Sequence, residues 1–238
     1  MIPVYLDNNA TTRTDPKVVE AMLPYFVEQF GNASSMHAFG AEVGTALAKA
    51  RQQLQALLGA QFDHEIIYMS SGTEADNSAI LSAIETQTGR DEIITSAVEH
   101  PAILSLVAHL EKTRGITVHI IGVDARGRLD MEAYRKALGP KTAIVSIMWA
   151  NNETGTIFPV EQLAQLAHEA GALFHTDAVQ AIGKIPVNLA ESEIDMLSLS
   201  GHKLHGPKGI GALYVRKGVR FRPMIRGGHQ ERGRRAGT

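Results

Sequence analysis

The sequence predicts an α/β protein with a mostly parallel sheet that is covered by helices on both faces. Short apolar stretches rich in β-branched residues alternate with segments long enough to form helices. Most of these stretches are apolar along their whole length, which is typical of strands buried on both faces. In such a sheet, functional residues are expected just after the carboxyl ends of the strands.

The amino-terminal part of the chain is predicted to be helical. Asp15 can cap a helix whose first turn contains Pro16, and Pro24 should kink or break that helix. A cleaner amphipathic helix is predicted from Glu42 to Leu58, with Gly59 as its stop. Its apolar side is formed by Val43, Leu47, Ala50, Leu54 and Leu57.

Seven apolar stretches follow this helix and are predicted to be strands. They are residues 65–69, 92–96, 117–121, 142–148, 172–177, 195–200 and 210–215. Helix-length segments separate most of them, including one that begins near Thr73 and two over residues 102–112 and 160–170. The alternation of strand and helix therefore predicts a sheet built from parallel crossover units.

Composition limits the classes of function that the chain can have. With a net charge of −2, it has no overall basic field that would favour nucleic acid or a membrane surface as a partner. No leader-like segment or apolar stretch of about 18 residues is present, so we expect a cytoplasmic protein. The sequence contains no cysteine, which excludes disulfides and a cysteine nucleophile within these residues. No metal site is predicted.

The helix that begins near Thr73 follows a glycine turn, and this pattern predicts a phosphate site. Free backbone N–H groups of Gly72 and Thr73 would point at an anion from the positive end of the helix dipole. An ordinary capping box from Thr73 to Asp76 is the alternative interpretation. The motif alone does not separate the two.

Polar residues also follow four other predicted strands: His100, Asn152, Asp177 with Gln180, and Lys203. Taken singly, His100 could be a structural histidine, Asn152 a turn residue and Lys203 an exposed loop lysine. Together with the phosphate site, the set suits pyridoxal 5'-phosphate. That cofactor needs a lysine for its aldehyde, an acid for its pyridine nitrogen and a group that stacks on its ring.

Eight motifs resemble those of a known family and occur along the chain in the same order as in that family. They are YLDNNATT (5–12), FGNASSMH (30–37), SSGTEADN (70–77), EHPAI (99–103), NNETG (151–155), HTDAVQAIGK (175–184), SGHKLHGPKGIG (200–211) and GGHQERGRRAGT (227–238). On these motifs the chain resembles the large-domain portion of cysteine desulfurases of the NifS/IscS type, which are class V aminotransferase-like, fold-type I enzymes. The residues of these motifs are closer to those of the nitrogen-fixation branch of the family than to those of the housekeeping branch.

The resemblance implies a role for each matching residue. Lys203 would form the Schiff base with the cofactor and carry the substrate Cα proton, and His100 would stack on the ring and handle a thiol proton. Asp177 would pair with the pyridine nitrogen, while Asn152 and Gln180 would reach the phenolic oxygen or the substrate. Gly72, Thr73, Ser200 and His202 would bind the phosphate, with Gly201 in the same cofactor-binding set. Thr238 would contact the cofactor of the other subunit of a homodimer.

The implied reaction converts L-cysteine to L-alanine and passes the sulfur, as an enzyme persulfide, to an iron–sulfur scaffold protein. Nitrogenase maturation is one role that this branch of the family implies. Selenocysteine lyase or another class V aminotransferase activity is an alternative. A fragment that binds the cofactor but catalyses no reaction is another alternative.

The sequence departs from the family because it has no cysteine to attack the substrate sulfur. In the family, that cysteine and the arginine that binds the substrate carboxylate belong to a carboxyl-terminal stretch and small domain. The sequence is therefore expected to be a truncated portion of a longer enzyme, lacking the small domain. Residues 1–14 would pack with that domain, and residues 15–238 would form the cofactor-binding large domain.

Overall fold

The structure is a computed structural model that describes residues 3–238, and its centre is one seven-stranded sheet. The strands are β1 (Ile66–Met69), β2 (Glu92–Ser96), β3 (Thr117–Ile121), β4 (Thr142–Ser146), β5 (Leu173–Asp177), β6 (Met196–Ser200) and β7 (Gly211–Val215). Their order across the sheet is β1-β7-β6-β5-β4-β2-β3. All seven predicted strands are present, with shifts of at most two residues at their ends.

Parallel pairing joins β3, β2, β4, β5 and β6. Strand β7 lies antiparallel between β6 and β1, so β1 runs in the same direction as the parallel set. The prediction of a mostly parallel sheet is confirmed. Because six strands share one direction, their carboxyl ends form a common edge.

Seven α-helices surround the sheet in the described part of the chain. They are α1 (Pro16–Met22), α2 (Pro24–Val27), α3 (Ala38–Leu58), α4 (Gly72–Thr86), α5 (Pro101–Arg114), α6 (Met131–Ala137) and α7 (Val160–Glu169). The Asp15 side chain caps α1 by accepting from the Lys17 N–H, and Pro24 begins a separate helix as expected. Helix α6 was not among the predicted elements. Within residues 3–238, no helix combines the length and the apolar character needed to span a membrane.

Two hydrophobic cores lie on opposite faces of the sheet. Neighbouring residues of one strand point to opposite faces, so Ile94 belongs to one core and Ile93 to the other. The first core includes Tyr134 of α6 and Leu163 of α7, and the second includes residues of α4 and α5 such as Ile80 and Ile103. Helices on both faces of the sheet are therefore confirmed.

Helix α3 begins at Ala38, four positions before its predicted start, and ends at Leu58 as predicted, with Gly59 as the C-cap at a φ of 60°, in the left-handed region. Its apolar side is only partly covered. Leu58 is fully buried and Leu54 packs against the first core, whereas Leu47 and Leu57 are 38% and 48% exposed. The helix therefore meets the first core through Leu54 and Leu58, while Leu47 and Leu57 stay partly at the surface.

The basic carboxyl-terminal segment, residues 227–238, is packed against the rest of the domain. Its composition alone would also be compatible with a flexible tail. Glu231 accepts two hydrogen bonds from the Arg51 guanidinium, at 2.7 and 2.9 Å, and one from the Tyr68 N–H at 2.9 Å. Arg235 donates to Glu74 at 2.9 Å. The two ion pairs join the segment to α3 through Arg51 and to α4 through Glu74.

Replacing Glu231 with alanine is expected to lower the free energy of unfolding by about 3 kcal/mol, because the half-buried Arg51 would lose its only ion-pair partner in the described residues. Chemical denaturation would measure the loss. The matched control is Glu85→Ala, which removes the exposed pair with Arg226 and should cost less than about 1 kcal/mol. Equal losses in the two variants would contradict a stabilising role for the docked segment.

Candidate active site

A cavity of about 820 Å³ lies at the edge where the strands' carboxyl ends meet. Residues that directly follow β1, β5 and β6 line it, together with part of the amino-terminal segment. Its position agrees with the rule that sites in parallel α/β sheets lie beyond the strands' carboxyl ends. The structure places nine predicted site residues in the lining: Gly72, Thr73, His100, Asn152, Asp177, Gln180, Ser200, His202 and Lys203.

Gly201 and Thr238 do not line the cavity. A Cβ atom at Gly201 would lie 2.7 Å from Cγ2 of Ile210, so this glycine permits close packing of the loop that carries Lys203. Thr238 is exposed at the surface. Its predicted contact involves a second subunit and stays a prediction.

The amino terminus of α4 faces the cavity, and its cap differs from the capping-box alternative. Ser71 is the N-cap residue and accepts from the Glu74 N–H at 3.1 Å, while Glu74 accepts from the Ser70 N–H at 2.6 Å. The cap therefore lies two residues before Thr73, and the Glu74 side chain bonds the residue before the cap and not the cap itself. Because Ser71 is the cap, Gly72 and Thr73 form the first turn, where N–H groups have no partner within the helix.

Lys203 ends a short 3-10 turn, Gly201–Lys203, directly after β6. Its Nζ atom donates to the main-chain oxygens of Asn9 and Ala10, the latter at 2.8 Å. Burial lowers the pKa of Lys203, and the charge of Lys184 lowers it further, while the carboxylates of Asp177 and Asp7 oppose the shift. A lysine with a lowered pKa has a larger neutral fraction and is a better nucleophile.

The amino-terminal segment forms one wall of the cavity, which no sequence pattern indicated. Asp7, Asn9, Ala10 and Thr11 line it. Thr12 donates both its N–H and its hydroxyl to the His202 main-chain oxygen, at 2.9 and 2.8 Å. Met1 and Ile2 of the predicted 1–14 segment lie outside the described residues, and packing of this segment against a small domain stays a prediction.

Asp177 is the last residue of β5 and is 5% exposed. Its Oδ1 atom accepts from the Val179 N–H at 2.9 Å. Burial raises its pKa, with that hydrogen bond and the charge of Lys203 acting against the rise. No arginine or lysine forms an ion pair with it in residues 3–238. A carboxyl of this kind suits a cationic group on a ligand.

His100, Asn152 and Gln180 combine structural contacts with exposure to the cavity. His100 caps α5 by accepting from the Ala102 N–H at its Nδ1 atom, at 3.1 Å. The Asn152 main-chain oxygen accepts from Asn9, and the Gln180 side chain donates to the Asn9 main-chain oxygen. The structural role first considered for His100 and its place in the cavity are therefore compatible.

Two buried carboxyls behind the cavity were missed by sequence reasoning. Asp76 on α4 lines the cavity and is 1% exposed, and Glu99, after β2, is 5% exposed. Glu99 accepts from the Ser96 hydroxyl at 2.6 Å and from the Met148 N–H at 2.9 Å. Burial raises the pKa of Glu99 to about 8 despite these bonds. Only the three-dimensional packing shows that both acidic side chains are buried.

The raised pKa of Glu99 predicts that stability falls as the pH rises from 6.5 to 8. The folded state keeps a proton on Glu99 in this range, whereas the unfolded state, with the ordinary value of 4.5, has lost it. His175, whose pKa burial lowers to about 3 from 6.5, acts in the opposite direction only below this window. The expected loss is about 2 kcal/mol by chemical denaturation.

Glu99→Gln should reduce that dependence by the share that Glu99 contributes, because the amide fills the same space without a titrating proton, while the buried Asp76, whose pKa is also raised, keeps its own share. Glu153→Gln, which changes an exposed carboxylate, serves as the control and should keep the wild-type slope. An unchanged slope in Glu99→Gln would show that Glu99 ionises normally in the folded protein.

The fold and the cavity define an α/β protein that presents a lysine and a buried carboxyl at the carboxyl edge of a mostly parallel sheet. Residues 4–235 match the family described as aminotransferase class-V. The chain belongs to this family. The fold-type I architecture that the resemblance implies is confirmed by the similarity of this chain to solved structures.

Several curated proteins are similar along the whole chain. A cysteine desulfurase of Gluconacetobacter diazotrophicus is 80% identical over 238 residues, and the cysteine desulfurase NifS of Azotobacter vinelandii is 62% identical over 238 residues. The chain spans 60% and 59% of these two proteins, respectively. The resemblance to NifS-type desulfurases is thereby confirmed.

Two solved structures share the fold over nearly every residue. A NifS-like protein superposes with a TM-score of 0.95 at 44% identity, covering 100% of this chain and 65% of that one. The protein SspA, solved in complex with cysteine, gives a TM-score of 0.93 at 37% identity, covering 99% of this chain and 68% of that one.

Proposed function

We propose that the protein is a pyridoxal-phosphate-dependent cysteine desulfurase that converts L-cysteine to L-alanine. The observation that carries the proposal is the common cavity at the strand ends, where Lys203 and the buried Asp177 lie among the other polar residues of the set. The names of the most similar relatives, and the cysteine bound to SspA in its solved structure, support L-cysteine as the substrate.

The residues of the cavity fit pyridoxal 5'-phosphate. Gly72 and Thr73 offer N–H groups at the start of α4, and a Cβ atom at Gly72 would lie 2.9 Å from Cγ2 of Val179, so a larger residue would disturb this turn. Ser200 and His202 add polar side chains at the end of β6. Asp177 has no cationic partner in the described residues and would meet the pyridine nitrogen.

Bound pyridoxal phosphate would supply an electron-accepting ring for the substrate Cα. Lys203 would hold its aldehyde and, once released, would move the proton at the substrate Cα. For this purpose its lowered pKa is useful, because a neutral amine can accept that proton. Asp177 would stabilise positive charge on the ring nitrogen, and His100 would lie against the ring.

The sulfur step needs a thiol, and these 238 residues contain none. In the proposed reaction the substrate C–S bond breaks, the sulfur joins an acceptor thiol as a persulfide, and the remaining carbon skeleton leaves as alanine. An iron–sulfur scaffold protein is the proposed final acceptor, with nitrogenase maturation as the biological role favoured by the NifS relatives. We further propose a cytoplasmic homodimer in which Thr238 reaches the partner's cofactor.

The proposal is tested by product analysis. Protein incubated with pyridoxal phosphate, L-cysteine and excess dithiothreitol is expected to release alanine and sulfide in equal amounts, since dithiothreitol supplies both the acceptor thiol and two electrons. Formation of a 2-oxo acid with transfer of the amine to an acceptor would instead indicate an aminotransferase. A change in cofactor absorption without any product would indicate a protein that binds cofactor without turnover.

A further inference from the structure

A buried polar strip crosses the sheet beneath α4, directly behind Asp177. His175 lies on β5 two residues before Asp177, and it is fully buried. Its Nδ1 atom is 2.9 Å from the Ser146 hydroxyl on β4, and its Nε2 atom is 2.9 Å from the Ser198 hydroxyl on β6. Each ring nitrogen therefore has a hydroxyl partner, and a neutral imidazole satisfies both contacts.

Asp76 of α4 faces this strip and is an unusual buried group. It is 1% exposed, and its Oδ1 atom has no hydrogen-bond partner among residues 3–238. The nearest ring nitrogen, Nε2 of His175, is 3.7 Å away. Burial lowers the pKa of His175 to about 3, so the imidazole supplies no positive charge to Asp76. An ionised Asp76 would be a buried charge without compensation.

The surroundings of Asp76 and Asp177 differ in a way that assigns the proton. Burial raises the pKa of Asp76 well above its usual range, and the charge of Asp177 raises it further, while the Ser198 hydroxyl acts in the opposite direction. Asp177 instead accepts from the Val179 N–H, and it is near the positive charge of Lys203. Of two neighbouring buried carboxyls, the better-supported one ionises first.

We propose that Asp76 is a positioning residue that retains its proton, donates it toward Asp177, and so holds Asp177 as the ionised carboxyl that faces a cationic ligand. The titratable groups around the pair are Glu99, His175, His100 and Lys203. This inference rests on the proposed function, because the cationic ligand would be the ring of pyridoxal phosphate.

Two substitutions in the intact protein separate this task from a structural role. Asp76→Asn keeps a neutral polar group of the same shape, and the dissociation constant for pyridoxal phosphate, measured by absorbance titration at pH 7, should stay within about threefold of wild type. Asp76→Leu removes the donor and should weaken binding by about tenfold, the loss expected for one hydrogen bond to a charged group. Its melting temperature without cofactor should be equal or higher, because an unpartnered buried polar group is gone.

A third measurement addresses the proton itself. Difference infrared spectra at pH 7 should contain a carboxylic-acid band that disappears in Asp76→Asn, while Glu99→Gln should remove a separate band. The inference is overturned if Asp76→Leu binds cofactor as wild type does, if its binding and melting temperature fall together, or if Asp76→Asn leaves the acid bands unchanged. If the wild-type protein itself binds no pyridoxal phosphate, the proposed function fails instead.

Discussion

Replacing Lys203 with alanine is expected to abolish the covalent pyridoxyl adduct that borohydride reduction leaves on the wild-type protein. The only amine that the proposal places at the cofactor aldehyde would be gone, and no later step could begin. Alanine formation from L-cysteine should fall at least about 1,000-fold, since both the covalent link and the proton carrier are lost. Intact mass with peptide mapping measures the adduct, and amino-acid analysis measures the product.

Lys208→Ala is the matched control because this lysine lines the same cavity. The Lys208→Ala variant should retain the adduct on Lys203. This result would show that adduct formation depends on the position of Lys203 and not on the presence of any nearby amine. A Lys203→Ala protein that still carries a full adduct, or that turns over at the wild-type rate, would disprove the assignment of Lys203.

Asp177→Asn is expected to reduce turnover about 100-fold or more while the adduct on Lys203 still forms. The amide can keep the hydrogen bond from the Val179 N–H, so the local shape is preserved, but the negative charge opposite the ring nitrogen is lost. A loss of about 3 kcal/mol of charge stabilisation corresponds to this change in rate. Steady-state alanine release and adduct yield should be measured on the same preparations.

Asp91→Asn removes a carboxylate from an exposed position at the opposite edge of the sheet, just before β2, and should change the rate less than twofold. The melting temperature of Asp177→Asn should not fall, because the substitution removes a buried carboxyl whose pKa burial has raised. A rate for Asp177→Asn close to that of the Asp91 control would rule out Asp177 as the counter-ion.

The strands and the polar residues after them could be predicted because both depend on local patterns. Strands β2 and β3 match their predicted limits, and the structure keeps Asp177 at the end of β5 and Lys203 just after β6, as their places in the sequence predict. The capping-box interpretation places the cap of α4 two residues too late, since Ser71 and Thr73 are both good caps and only the backbone geometry distinguishes them.

Features that depend on distant contacts could not be read from the sequence. Asp76 and Glu99 have the appearance of ordinary acidic residues near helix starts, and their burial follows from the packing of α4 and of the loop after β2. The antiparallel position of β7 between β1 and β6 is likewise a pairing choice that no local pattern encodes. The same is true of the docked segment, which is held by Arg51, 180 residues away along the chain from Glu231.

The antiparallel pairing of β7 with β6 has a consequence for the motion of Lys203. Both ends of its loop are joined across the sheet, because Ser200 is paired with Gly211 and the Gly201 N–H donates to the Ile210 main-chain oxygen at 2.9 Å. All residues of both strands are buried, so their amides should exchange with solvent deuterium only through global unfolding. The loop is anchored at both ends to this slowly exchanging centre, so the lysine amine must travel by rotation of its own side chain while the main chain stays in place.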